Sequence, residues 1–296
     1  MSARISVLVN QAAGSGTGHD AIRAAFQAAA SDVHLVALDG TSDPTDLAAR
    51  LAADGGLVVA AGGDGTVSSV AAGLAGTGAT LGVLPTGTLN HFAKDLGIPL
   101  GLEDAVATVL RGQVTRVDVG AVNGRVFVNA CSIGVYPNIV AIRESLREGG
   151  SPKWPAMAVG IYRVLREYRG VHVRMAPVGG RVSEWRTPFL FVGNNEYAID
   201  GRQLGGRATL ADGQLVAYLA PRAKPRDLPL LLGRALLGRA SQSGAFKVIR
   251  GQEFVVDIRP ARPRIALDGE LVTLAPPLRF ELRPGALRVM VPEAQA

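Results

Sequence analysis

Residues 57–70 read LVVAAGGDGTVSSV: an apolar run, then Gly62-Gly63-Asp64-Gly65-Thr66, then a segment of helical character from Val67 onward. Successive side chains of a strand point to opposite faces, so a run that is apolar throughout has to be covered on both sides. Working outward, the same texture recurs. Strands are expected over Ile5–Asn10, Val33–Leu38, Leu57–Ala61 and Thr80–Leu84, and helices over roughly Asp20–Ala30, Thr45–Ala53, Val67–Leu74 and Leu102–Leu110. Apolar strands alternating with helices define a doubly wound α/β domain on a parallel sheet.

After Gly112 the pattern changes to strands and turns. VTRVDVGAVNGRVFVNA (114–130) sets Asn123-Gly124 between two β-branched runs, a strong hairpin signal. Further strand pairs are expected around Gly179-Gly180, Asp212-Gly213 and Asp268-Gly269, with helical interruptions between Pro137 and Tyr168 and between Pro225 and Arg239. Of the 15 Phe, Trp and Tyr residues, only Phe26 and Phe92 precede residue 120, which puts a boundary there. The expected organisation is an α/β domain over 1–120 and a mostly antiparallel β-sandwich over 121–284. The tail, about 285–296, is expected to return to the first domain.

A chain of 296 residues that is 48% hydrophobic and 19% charged has the apolar surface to fold, which excludes disorder. No apolar run reaches the roughly 18 residues of a membrane span, and MSARISVLVNQ is too short a greasy stretch for a secretion signal, so a cytoplasmic location is expected. The single Cys131 excludes an internal disulfide and a cysteine-built zinc cluster, and His19, His34, His91 and His172 lack metal-ligand spacing. A net charge of +6 is compatible with nucleic acid, an anionic membrane surface or phosphorylated ligands, and does not choose among them.

The chemistry concentrates in turns that follow strands. Ligands of open α/β sheets bind beyond the carboxyl ends of the strands, where glycines let backbone N–H groups approach phosphate oxygens. Gly62-Gly63-Asp64-Gly65-Thr66 fits that role; Asp64, being negative, would act near a metal or through water. Taken alone it is also an ordinary tight turn. No Walker A loop occurs, and no G-x-G-x-x-G follows the first strand. Two more glycine-bearing turns, Asn10–Gly16 and Pro85–Ala93, end the first and fourth strands, the latter with Thr86, Thr88 and Asn90 as polar candidates.

NQAAGSG (10–16), AAGGDGTVSSV (60–70) and LPTGTLNHFAKDLGIP (84–99), in this order and spacing, resemble the catalytic domain of the diacylglycerol kinase family, in particular its soluble bacterial lipid kinases. FVGNNEYAIDGRQLGGRATLADGQL (191–215) and IALDGELV (265–272) continue the resemblance, which covers nearly the whole chain. GGDGT by itself is shared with NAD kinase and phosphofructokinase relatives; joined to the 84–99 stretch it is specific to the lipid family.

The resemblance implies an ATP site lined by Asn10 to Gly14, by Gly62, Gly63, Asp64, Gly65, Thr66, Val67 and Ser68, and by Thr88. It implies Asp268 as the general base for a lipid hydroxyl, with Glu270 beside it, and a structural Mg²⁺ site around Thr209, Asp212 and Gln214. An oxygen-only shell suits that ion. Three positions depart from the family pattern: Gln11 replaces a proline, His91 replaces an acidic residue, and Ala211 leaves Asp212 as the only carboxylate of its segment.

Without the resemblance, Asp268-Gly269 is a hairpin turn. Cys131 reads as a buried inert thiol, His172 as a strand residue at the surface, and His19 as a helix-capping residue. From Arg222 to Arg250, seven Lys or Arg face one acid, Asp227, around LPLLLGRALLG. Such a segment either packs its apolar side on the β domain or docks on anionic lipid.

The function expected is an ATP-dependent lipid kinase using Mg²⁺, acting in lipid metabolism on a lipid at the inner membrane surface, with no nucleic-acid partner. A kinase of a soluble substrate, related to NAD kinases, and a catalytically silent nucleotide- or lipid-binding regulator are the other readings. The lipid acted on and the oligomeric state are not legible, a homodimer being compatible with the chain.

Overall fold

The computed structural model describes residues 5–10, 18–53, 56–148, 154–168, 170–177, 180–198, 205–221, 223–231, 246–259 and 263–293. Two compact units divide the chain: 1–119 with 209–211 and 283–296, and 120–208 with 212–282.

The first unit begins with β1 (Ile5–Asn10), α1 (His19–Ala28), β2 (His34–Leu38), α2 (Pro44–Ala53), β3 (Leu57–Gly62), α3 (Asp64–Leu74), β4 (Thr80–Pro85), α4 (His91–Asp95) and α5 (Leu102–Arg111). Its strands are parallel in the order β2-β1-β3-β4. On one sheet face Val7, Val9, Val59, Ala61 and Leu84 pack with Ile22 and Phe26 of α1 and Ala105, Val106 and Val109 of α5. The opposite face is covered by α2 and α3, so close together that a Cβ on Gly73 would collide with the Thr45 carbonyl oxygen. The strands are therefore buried on both sides, as their unbroken apolar character requires.

Because β1 connects outward to β2 while β3 connects the other way to β4, the direction in which strands are added reverses between β1 and β3. That reversal is the topological switch point, where the following helices leave opposite faces, the place at which open α/β sheets take their ligands.

Helix α5 shows why these segments are helical. Buried Ala105, Val106 and Val109 fall on one stripe, Glu103 and Asp104 sit in the first turn and Arg111 in the last, each sign matched to the helix dipole. Helix α3 starts at Asp64, three residues before the expected Val67, because the glycine-rich stretch itself supplies its first turn. Helix α4 has five residues, too short to print a periodicity.

The second unit is antiparallel. β5 (Gln113–Val122) runs into it and turns at Asn123-Gly124 into β6 (Arg125–Phe127), followed by β7 (Ala130–Gly134), α6 (Val135–Glu148) and α7 (Trp154–Glu167). Then come β8 (Val171–Pro177), β9 (Ser183–Thr187), β10 (Phe189–Asn194), β11 (Leu215–Leu219), a 3-10 turn (Pro225–Asp227), β12 (Lys247–Gly251), β13 (Glu253–Arg259), β14 (Ile265–Leu267), β15 (Glu270–Val272) and β16 (Leu278–Val291). One sheet runs β12-β11-β10-β7-β14-β15; facing it, β13 lies between β8 and the first part of β16, with β9 outside β8. Cys131, Ile133, Leu190, Val192 and Leu215 of one sheet share a core with Val173, Met175, Phe254, Val256 and Phe280 of the other. The sandwich rests on this apolar layer.

The later part of β16 pairs in parallel with β4, Arg288 opposite Thr80. Asp268-Gly269 turns β14 into β15, with φ of 48° and 92°. Asp212-Gly213 does not join two strands; it belongs to an irregular connection between β10 and β11, which pair with each other directly. The basic apolar stretch falls mostly outside the described residues, and no described helix is long and apolar enough to cross a membrane.

Candidate active site

The carboxyl ends of adjacent strands β1, β3 and β4 carry Asn10 and two described turns, and contacts join them. Asn10 Nδ2 at the end of β1 donates to Thr66 Oγ1 in the first turn of α3 at 2.9 Å. Gly63 is the N-cap of α3 and has no side chain to cap it, while the first helical bond to it is Val67 N–H to Gly63 O. The N–H groups of Asp64, Gly65 and Thr66 therefore have no intrahelical acceptor and carry the positive end of the helix dipole. This is an anion-receptive edge at the switch point. Gly14 and the rest of 11–17 lie outside the described residues.

The turn after β4 is built from within. Asn90, buried and left-handed with φ 51°, accepts the Gly87 N–H on Oδ1 at 3.1 Å and donates from Nδ2 to Gly87 O at 2.8 Å and Pro85 O at 3.4 Å. Its amide holds the loop shape and is consumed by it. Thr88 is exposed on the loop, and Thr86 donates its N–H to Gly62 O at 3.1 Å. Asp64 Oδ1 accepts the Phe92 N–H at 3.3 Å, so the carboxylate caps α4. Val67 is buried, as is Ser68, whose Oγ has no partner among the described residues. His91 is exposed at the first position of α4.

Backbone touches backbone between two of the turns: a Cβ on Gly87 would fall on the Gly63 Cα, and one on Gly62 would lie 2.5 Å from Thr66 Oγ1. The first collision involves main chain, which cannot rotate aside. Gly87→Ala is therefore expected to push the 62–66 turn out of position and to weaken nucleotide affinity by about tenfold or more, on the order of 1.4 kcal/mol. Isothermal titration with ATP analogues checks this; wild-type affinity in the variant would show that the turns do not act together.

In the second unit the site centres on Asp268. Its Oδ2 accepts the Val128 N–H at 2.8 Å, and its Oδ1 accepts those of Asn129 and Ala130, each at 2.8 Å. The Asp268 N–H returns to Ala130 O at 2.9 Å. The segment 128–130 is fixed in turn from behind. Arg207, 6% exposed, donates from Nη1 to Val128 O at 2.7 Å and Asn194 O at 3.1 Å, and from Nη2 to Asn129 Oδ1 at 2.8 Å. Asn194 gives its N–H to Asn129 O at 2.9 Å and its Nδ2–H to Val128 O at 3.0 Å. Both peptides whose N–H groups reach Oδ1 thus receive a donor on their own carbonyl oxygen, and such chains polarise one another. Arg207 also lies over the Tyr197 ring at 5.1 Å.

Glu270 is exposed on β15, two residues along. Cys131 is buried on β7; burial, helped by the Asp268 charge, pushes its thiol far up, so it stays protonated and is no nucleophile. His172 is exposed on β8, and His19 is the first residue of α1, whose N-cap is Gly18.

Around the implied magnesium position, Thr209 belongs with the first unit, and Asp212 and Gln214 with the second. Thr209 Oγ1 accepts the Ala211 N–H at 3.1 Å, Asn195 Oδ1 accepts the Asp212 N–H at 3.0 Å, and Gln214 O accepts the Asn195 N–H at 3.0 Å. The Asp212 side chain is exposed. Asp212 is the one carboxylate among the three residues.

Sequence reasoning did not single out Arg207 or Asn194. A lone arginine in a glycine-rich loop carries no pattern, and its burial comes from strands distant in sequence.

A nucleotide-type α/β unit with phosphate-receptive turns, joined in one chain to an antiparallel sandwich with a clamped aspartate, defines the diacylglycerol kinase and NAD kinase class of fold. Residues 4–122 match the diacylglycerol kinase catalytic domain, and residues 144–291 the YegS C-terminal NAD kinase beta sandwich-like domain. Proteins named "Probable lipid kinase YegS-like" are similar over most of the chain. The one from Pseudomonas aeruginosa strain UCBPP-PA14 is 34% identical, covering 94% of this chain and 92% of that protein; the one from Pectobacterium atrosepticum is 29% identical, covering 94% of each. A diacylglycerol kinase structure from Bacillus anthracis str. Sterne has a TM-score of 0.71 at 22% identity, covering 97% of this chain and 96% of that one. An NAD kinase from Archaeoglobus fulgidus, solved in complex with ATP, scores 0.53 at 12%, covering 97% and 93%. At these identities the two structures speak to fold alone. The chain belongs to the YegS-like family of lipid kinases, with its diacylglycerol kinase catalytic domain.

Proposed function

We propose that the protein transfers the γ-phosphate of ATP to the hydroxyl of a membrane lipid. The observation that carries this reading is the gathering of Asn10, the 62–66 turn and the 85–90 turn at the carboxyl ends of three adjacent strands. The backbone N–H groups there, with Thr66, Ser68 and Thr88, hold the nucleotide's phosphates; Asp64 contributes by fixing α4 rather than by touching phosphate.

Asp268 takes the proton of the lipid hydroxyl onto Oδ2, the oxygen that accepts one of the three amide bonds. The hydroxyl oxygen bonds to the γ-phosphorus as the bond to the β-phosphate oxygen breaks, releasing ADP. In phosphoryl transfer the protein acts mainly by positioning and by electrostatics, so a rigid carboxylate matters more than a strongly basic one. Thr209, Asp212 and Gln214 are the residues that would offer oxygens to Mg²⁺, which would supply a fixed positive charge; Glu270 lies at the exposed end of the hairpin.

The test is mass spectrometry of a total lipid extract after incubation with the protein, Mg²⁺ and ATP, with NAD in a parallel reaction. One lipid class gaining a phosphate is the expected result. Phosphorylated NAD with unchanged lipids would replace the acceptor, and neither product would leave a nucleotide-binding regulator.

A further inference from the structure

The first unit has a cavity of about 500 Å³ at the amino edge of its parallel strands. Its floor is one cross-strand row: Ile5 on β1 stands beside Leu57 on β3, Leu57 beside Thr80 on β4, and Thr80 beside Arg288 on β16. Register partners in parallel strands share a sheet face, so the four side chains lie on one side of the sheet. Leu110 of α5 and Met290, two residues past Arg288 and therefore on the same face, line the sides. Strand β3 runs from Leu57 in this cavity to Gly62 in the phosphate-receptive turn, roughly 17 Å away, so the two places are distinct.

Packing runs out along this row. Val7 and Val59, one row further in on the same face, are fully buried against α1 and α5, whereas Ile5, Leu57, Leu110 and Met290 are half-buried. Helix α5 ends at Arg111, and Gly112 passes so close to β16 that a Cβ there would strike the Val291 carbonyl oxygen; the chain turns there into β5 instead of extending over the row. Apolar surface left against water favours any alkyl chain that covers it. Arg288 adds one positive charge at the end of the row. Its guanidinium has no ion pair among the described residues, and none of the described residues lining the cavity is acidic.

We propose that this cavity binds a fatty acid, its alkyl chain over Ile5, Leu57, Leu110 and Met290 and its carboxylate on Arg288. The volume lies in the range of small-molecule sites, which are mostly apolar with a few polar groups that fix orientation. A single guanidinium matches one carboxylate in fork geometry. A phosphomonoester head would bring close to two negative charges against one cation and leave the remainder beside apolar walls, which is costly. The site lies wholly within the first unit and does not rest on the kinase reading.

The experiment is equilibrium dialysis of the full chain against labelled decanoate below its micelle concentration, with decanol as a probe of the chain alone and acetate as a probe of the head alone. It is repeated for Arg288→Gln, for Leu110→Gln and for Arg111→Gln, whose arginine is exposed at the end of α5 and does not line the cavity. Equal melting temperatures verify that each variant keeps the fold. Wild-type protein is expected to bind decanoate saturably, about tenfold or more tightly than decanol, as for a charge-assisted hydrogen bond, and not to bind acetate. Arg288→Gln is expected to bring decanoate down to the affinity of decanol, Leu110→Gln to weaken both, and Arg111→Gln to change neither. Should Arg288→Gln fail to fold, the preference of the wild-type protein for decanoate over decanol decides. Absence of saturable decanoate binding, equal affinity of the wild-type protein for decanoate and decanol, or a folded Arg288→Gln protein with undiminished affinity for decanoate overturns the site.

Discussion

Replacing Asp268 by Asn is expected to cut turnover by about 10²- to 10⁴-fold, the usual contribution of a general base, with ATP affinity unchanged. The backbone at 268 has φ 48°, which Asn tolerates as well as Asp, so the β14–β15 hairpin should survive. The carboxamide, however, offers one oxygen where the carboxylate offers two, and its NH₂ group meets a main-chain N–H at Val128 or at Asn129 and Ala130. Stability should therefore fall too, by about 1.5–3 kcal/mol for a hydrogen bond to a charged group. Turnover has to be measured well below the variant's melting transition. A folded Asp268→Asn protein with full activity and a lowered melting temperature would make the carboxylate a pin for residues 128–130 and no base.

Arg207→Met carries the second large effect. Its guanidinium serves two carbonyl oxygens and the Asn129 side chain inside the second unit, and Met cannot replace any of those bonds. Taking the charged donor away from these buried acceptors costs about 1.5–3 kcal/mol per hydrogen bond to a charged group, a melting shift of several degrees. Among molecules that remain folded, kcat is expected to drop while KM for ATP stays constant, because the amides that aim Asp268 lose their backing and the nucleotide turns do not. Arg207→Lys, with one ammonium for three acceptors, should recover part of the activity. An unchanged kcat in folded Arg207→Met would show that the 128–130 segment holds its shape alone.

The parallel strands were legible because a doubly covered strand has to be apolar on both faces, and the observed β1, β3 and β4 begin where that pattern begins. Asn123-Gly124 and Asp268-Gly269 were legible because positive φ at both positions leaves few residue choices. What was hidden depended on distant partners. Helix α4 is started by a carboxylate 28 residues earlier, and Arg207 is buried by strands some 80 residues upstream. Asp212-Gly213 carried a hairpin's signature without being one, since β10 and β11 find each other across a longer irregular connection. Of the nucleotide turns, the glycines could be read but not their mutual contact; that Gly87 abuts Gly63 is a property of packing.

Cys131 gives the molecule an internal reporter. It is the only sulfhydryl in the chain, it is fully enclosed in the sandwich, and it pairs across the sheet with Val192 and Leu267. A thiol-trapping reagent can reach it only when those strands part, so the trapping rate counts openings of the second unit and is blind to events confined to the first. The energetics of one half can thus be followed in the intact polypeptide without adding a label.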